Sequence, residues 1–225
     1  MIQIKRSECP RLLSQDSRWD SPRCKAEVVD ALYKMQHGKC CYCEKKIAQG
    51  GHEQAVDHFR PKAPDKFPEL ENTWTNMLHA CSCCNGKKAN NFPTDSNGNA
   101  LLIDPADPAV DPEDHLGFNV NDEDGNFGRI SPKDNSEQGL ATIETIGLDL
   151  PRKRHERKKG YIRFFSAYID IATAEDDATR NQKIQAFENM LLANNEHAAF
   201  TRAFAKYKGI DSRFGVKMPV GADVG

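Results

Sequence analysis

Two Cys-x-x-Cys pairs, Cys40/Cys43 in KCCYCEKK and Cys81/Cys84 in HACSCCNGKK, constrain this chain more than any other feature. Each pair offers two thiolates from one tight turn, and two such turns fill the four-sulfur shell that tetrahedral zinc takes. Six of the eight cysteines fall in the two clusters, leaving Cys9 and Cys24 apart. Cys41, Cys83 and His79 compete for places in the shell, but only Cys40, Cys43, Cys81 and Cys84 give both turns the same spacing. Four thiolates leave no open coordination position, so this zinc is expected to be structural, pinning two segments and closing residues 44–80 into a loop. A redox dithiol needs only one such motif.

A disulfide framework is not expected, because a chain of 225 residues buries a core without staples. The opening MIQIKRSECPRLLSQDSRWD has no apolar run or small-residue cleavage site. No stretch nears the ~18 apolar residues of a membrane span. The expectation is a cytoplasmic protein with no membrane partner. A net charge of −2 means that any nucleic-acid binding relies on a local basic patch.

Three stretches are expected. Over 1–37, Val28, Val29, Leu32 and Met35 recur at helical spacing between Arg23 and His37, and Gly38 ends that lead-in helix. Over 38–135, a zinc-stapled core reads as strand (Asp57-His58), loop (PKAPDKFPE) and short helix. It is followed by a small hairpin extension with apolar islands LLID and HLGFNV and a turn at DEDGN. Over 136–225 the pattern is helical: Ala141, Ile143, Ile146 and Leu148 in one segment, Ile162, Phe165, Ile169 and Ile171 in the next. A third helix is predicted from Asp177 to about Tyr207. The fold class is therefore α+β with a mostly helical C-terminal part.

The loop between the cysteine pairs and the residues just past it carry a coherent set of chemical groups. A neutral imidazole takes a proton from water near neutral pH, which makes His58 a candidate general base for phosphodiester hydrolysis. Asp57 and Asn85 supply oxygen ligands suited to a catalytic magnesium or manganese ion. Asn76 can orient the base, and Lys87 or Lys88 can meet a phosphate. Taken singly, these are a turn acid, a strand histidine, a helix cap and a turn residue; their offsets from the cysteine turns favour the functional reading.

The order CxxCE, DHFRPK, WTNMLHACxxCN and GKK resembles the HNH endonucleases in their Asp-His, Asn, Asn form. The strings MIQIKR, LLIDPADPAVDPEDHLGF and TIETIGLDLPRKRHERK extend the likeness to the PtuB group, found in Septu antiphage systems and some retrons. The likeness runs to about residue 165. It implies a ββα-metal core with His58 as general base, Asp57 and Asn85 on the catalytic ion and Asn76 as the middle residue. It also implies a partner, the ABC-type ATPase PtuA, and in the retron setting a reverse transcriptase with its DNA. This sequence has no GxxxxGK[ST] loop of its own.

The run PRKRHERKKGYIR, with Arg152, Arg154 and Lys158, is either a phosphate-backbone contact or a solvated helix face. Three functions stay open: a DNA-cutting effector, an RNA-cutting effector acting on tRNA, and a non-catalytic zinc scaffold. The acidic DPADPAVDPED stretch is read as a proline-stiffened loop and not as a second metal site.

Overall fold

The structure is a computed structural model that describes residues 1–15, 18–121 and 125–219. In chain order its elements are α1 (Arg11–Ser14), α2 (Pro22–Met35), β1 (Gln54–His58), β2 (Met77–Cys81), α3 (Ser82–Lys88) and α4 (Pro112–His115). They continue with β3 (Leu116–Phe118), β4 (Ile130–Pro132), α5 (Glu137–Ile146), α6 (Pro151–Ala172), α7 (Asp177–Leu191), α8 (Ala198–Tyr207) and α9 (Ile210–Phe214). Among the described residues, helices thus surround two small antiparallel sheets, β1-β2 and β3-β4.

Proline at the first turn starts α2, where its missing N–H is no loss. Cys24, Val28 and Leu32 recur every fourth residue and are buried, which turns one stripe onto Trp74 and Met77. The chain then reverses through His37 and Gly38, both at positive φ. A Cβ on Gly38 would stand 2.8 Å from the Tyr33 ring, so contact and backbone both require glycine there.

The β1-β2 pair runs from Gln54 opposite Cys81 to His58 opposite Met77. Met77–Cys81 is a second strand, where the residue pattern alone reads as a loop and a short helix. All five of its residues are buried, so no polar-apolar alternation marks it. α3 follows at once and packs across both strands. The expected hairpin is β3-β4, with Phe118 opposite Ile130. Of the DEDGN turn, Asp122, Glu123 and Asp124 lie outside the described residues.

Ser136 caps α5, its Oγ accepting from the Gly139 N–H at 3.0 Å. Gly147 ends the helix at φ 62°. The predicted third helix is two helices, α7 and α8, broken at Leu192, whose backbone is extended, and restarted at His197, held at φ 53°. The apolar stripe expected on α6 also differs. Ile162, Phe165 and Ile169 are exposed, while Lys153, Arg157, Gly160, Phe164 and Ile171 face inward.

One core joins the α3 side of the first sheet to α5, through Leu78, Ala80, Ile103, Ile146 and Leu148. A second lies among the C-terminal helices, with Phe164, Ile171, Phe187 and Phe204. Lys39 ties the first cysteine turn to the C-terminal part, donating to the Asn195 carbonyl at 2.8 Å. No helix among the described residues is long and apolar enough to cross a membrane.

Candidate metal centre and active site

The first cysteine turn is built by backbone bonds. The Cys40 N–H donates to the Lys45 carbonyl and the Glu44 N–H to the Cys40 carbonyl, with Glu44 at φ 61° closing the reversal. The second turn is the junction of β2 and α3, where the Cys84 N–H points at the Cys81 sulfur at 3.4 Å. Together they bring the sulfurs of Cys40, Cys43, Cys81 and Cys84 within 4.8 Å of one another.

This cluster could hold a metal ion such as zinc. The Cys43 and Cys81 sulfurs are 3.9 Å apart, close to the edge of a tetrahedron with zinc–sulfur bonds of about 2.3 Å. The donor chemistry agrees. Sulfhydryl bonds from Cys40, Cys43 and Cys84 hold the Cys81 thiol far below its usual range. Burial pushes Cys40 up, and hydrogen bonding to the Cys40 sulfur pushes Cys43 and Cys84 up. Burial disfavours charge on the Cys40 thiol, so ionising all four thiols together calls for a cation. Cys41 and His79 stand outside the cluster: the Cys41 N–H donates to the His79 carbonyl and His79 Nδ1 meets the Lys39 carbonyl at 3.0 Å. Cys83 is exposed.

His58 ends β1, with Nε2 2.8 Å from the carbonyl of Glu71. A carbonyl only accepts, so Nε2 carries the proton and Nδ1 of the neutral ring keeps the lone pair. The edge of Trp19 lies against the ring, centroids 5.2 Å apart. Burial lowers the His58 pKa from its usual 6.5 and Lys62 adds to this, against the Glu71 carbonyl and Asp57. The ring is therefore neutral at pH 7.

Asn76 holds the loop that presents Glu71. Its Oδ1 accepts from the Arg60 N–H at 2.8 Å, and its Nδ2 donates to the carbonyls of Arg60 and Leu70 at 3.0 and 3.2 Å. Both arms of the loop are thereby clamped behind His58.

Asp57 points to the opposite face of β1, as strand alternation requires of a neighbour. Tyr42 donates to its Oδ2 at 2.6 Å. Lys88 donates to its Oδ1 at 3.1 Å and to the His58 carbonyl at 2.7 Å. Asp57 is 2% exposed and Lys88 1%. Both carboxylate oxygens are thus taken, one of them by an ammonium, so this arrangement does not fit Asp57 as a ligand of magnesium or manganese.

Asn85 is half-buried on α3, one turn before Lys88, and its side chain bonds to none of the described residues. Tyr42, inside the first cysteine turn, is a partner that sequence reasoning missed. Its only signal was its place between two candidate ligands.

Lys88, expected at a phosphate, does not reach the surface, whereas Lys87 does. Of the basic run, Arg152 and Lys158 are exposed. Arg154 is held by Asp149, Nε to Oδ1 at 2.9 Å.

Fold and site define a mixed helix and small-sheet protein stapled by a four-cysteine cluster with the capacity for a metal ion. No protein-family model matches the chain. It is similar to two curated proteins named Septu protein PtuB. One, from Bacillus thuringiensis, is 32% identical over 130 residues, 52% of this chain and 46% of that protein. The other, from Bacillus mycoides (strain KBAB4), is 30% identical over 156 residues, 59% of this chain and 50% of that protein. The chain spans about half the length of these relatives, and over that shared stretch it is PtuB-like.

Proposed function

We propose that this chain is a phosphodiester-cleaving component of a Septu-type antiphage system, an HNH-type nuclease acting beside a PtuA-like ATPase. The observation that carries the reading is the preset tautomer of His58. Its Nε2 proton is committed to the Glu71 carbonyl, which leaves Nδ1 as a base on a ring that burial keeps neutral. The strand–strand–helix order around it, stapled at both ends by the cysteine turns, supports an HNH core. PtuB-like sequence supports the defence setting.

In the proposed reaction Nδ1 takes a proton from water as its oxygen attacks phosphorus. The bond to the leaving sugar oxygen breaks, and solvent protonates that oxygen. Asn76 and the Glu71 carbonyl keep the ring in place. Zinc bound by Cys40, Cys43, Cys81 and Cys84 would supply folding free energy and no open coordination position. No step is routed through a second ion.

DNA is the proposed substrate. The competing reading, a non-catalytic zinc scaffold, draws on one observation, the closed Asp57–Lys88 pair. One assay decides: the chain and a PtuA-like partner are incubated with plasmid DNA and total tRNA in magnesium or manganese, wild type against His58→Ala. Loss of cleavage by roughly 100-fold or more is expected of a missing general base. Cleavage of tRNA alone would move the substrate to RNA. Equal cleavage by the variant would sink the role of His58, and no cleavage by either protein would favour the scaffold.

A further inference from the structure

The basic run at the start of α6 sends two of its cations inward, toward the cysteine cluster. Lys153 and Arg157 are four residues apart, hence on one face of the helix, and are 6% and 3% exposed. They line a small pocket with Cys43 and Cys81.

Three lysines are buried among the described residues, Lys39, Lys88 and Lys153. Lys39 has Glu44 and Lys88 has Asp57. Among the described residues Lys153 has no carboxylate within ion-pair distance. It donates to the Ile146 carbonyl at 2.8 Å. A buried ammonium without a counter-charge is costly, and one neutral acceptor does not neutralise it. Burial opposes its charge, while the sulfurs of Cys84 and Cys43 favour it. Arg157 is shared: burial opposes its charge, Asp149 and then Cys43 favour it, and Asp149, 3.8 Å away, is already engaged by Arg154.

Four thiolates around a divalent ion carry a net charge of −2, which Lys153 and, in part, Arg157 offset. We infer that Lys153, assisted by Arg157, is the counter-charge of a divalent metal–tetrathiolate centre, so that α6 docks on the metal site electrostatically. The inference rests on metal binding by the four cysteines and not on the nuclease reading. It removes these two cations from any nucleic-acid surface.

The test uses the full chain loaded with zinc or with cobalt(II). Lys153→Met removes the charge. Lys153→Gln removes it but keeps a donor for the Ile146 carbonyl, and so covers the case in which the first variant does not fold. Lys159→Met, at an exposed position, is the control. Lys153→Gln is expected to release zinc to a chromogenic chelator about tenfold faster, as loss of an outer partner does. The sulfur-to-cobalt charge-transfer band should move to longer wavelength, because thiolates freed of a nearby cation give up electrons more easily. Lys159→Met should change neither. A lysine that only caps α5 would alter thermal stability but leave band and release rate at wild-type values, and that result would overturn the inference. Purified wild-type protein that binds neither metal would overturn it too, and would leave the His58 assay standing.

Discussion

Asp57 and Lys88 form an ion pair shut away from water, with Tyr42 donating to the second carboxylate oxygen. Removing one partner of such a pair strands a buried charge, at a cost of about 3–5 kcal/mol. Asp57→Asn and Lys88→Met should each lower the thermal midpoint sharply. The double variant should be less damaged than the sum of the singles, because neither charge is then left alone. Additive losses in thermal unfolding would show that the two side chains are not coupled.

His58 makes a prediction in pH. Its folded pKa lies below the usual 6.5 and the neutral ring is the working form. Cleavage should hold through neutral pH and fall by half only at a pH below 6.5, read from kcat/KM against pH. A half-point above 6.5 would show that the ring is not the group titrating. The pairing of roles at these two residues was half legible. The Asp-His string points to His58, but a strand sends neighbours to opposite faces, and alternation alone separates Asp57 from the histidine.

Elements were readable where local rules dominate. α2 shows an apolar stripe and a glycine reversal, α5 the spacing of Ala141, Ile143 and Ile146, and α6 a proline start. β2 hid because its five buried residues show no alternation. The break between α7 and α8 hid because Asn194, Asn195, Glu196 and His197 include neither glycine nor proline, and His197 takes a left-handed conformation that tertiary contacts have to hold. The exposed stripe on α6 misled for a related reason: the first turns of its inward face are cationic, and periodicity looks only for apolar residues.

The loop from Arg60 to Asn76 tests whether an element positions the base. Asn76→Ala deletes three hydrogen bonds, each contributing on the order of 1 kcal/mol. Amide exchange at Arg60 should rise, and kcat should fall more than KM changes, since the Glu71 carbonyl loses its fixed place. Unchanged exchange at Arg60 would mean the clamp is not holding the loop.

At the scale of the whole molecule, the cysteine turns join segments that nothing local would bring together. Cys40, Cys41, Cys81 and Cys84 share a core with Leu102, Ile103, Ile146 and Leu148, so loss of the metal should not stay local. Structural zinc contributes about 10–16 kcal/mol in small domains, as large as the roughly 5–15 kcal/mol that separates most domains from unfolding. Stripping zinc with a strong chelator should therefore unfold the first sheet, α3 and α5 together. The expected signature in amide exchange is loss of protection at Leu78, Ala80 and Ile143 in one step. The C-terminal core of Phe187, Leu191 and Phe204 shares no buried residue with the first, and its exchange reports whether it survives. Protection kept at Leu78 and Ala80 after metal analysis has verified zinc loss would mean that packing alone holds the cysteine turns together, and would reduce the cluster to four neighbouring thiols.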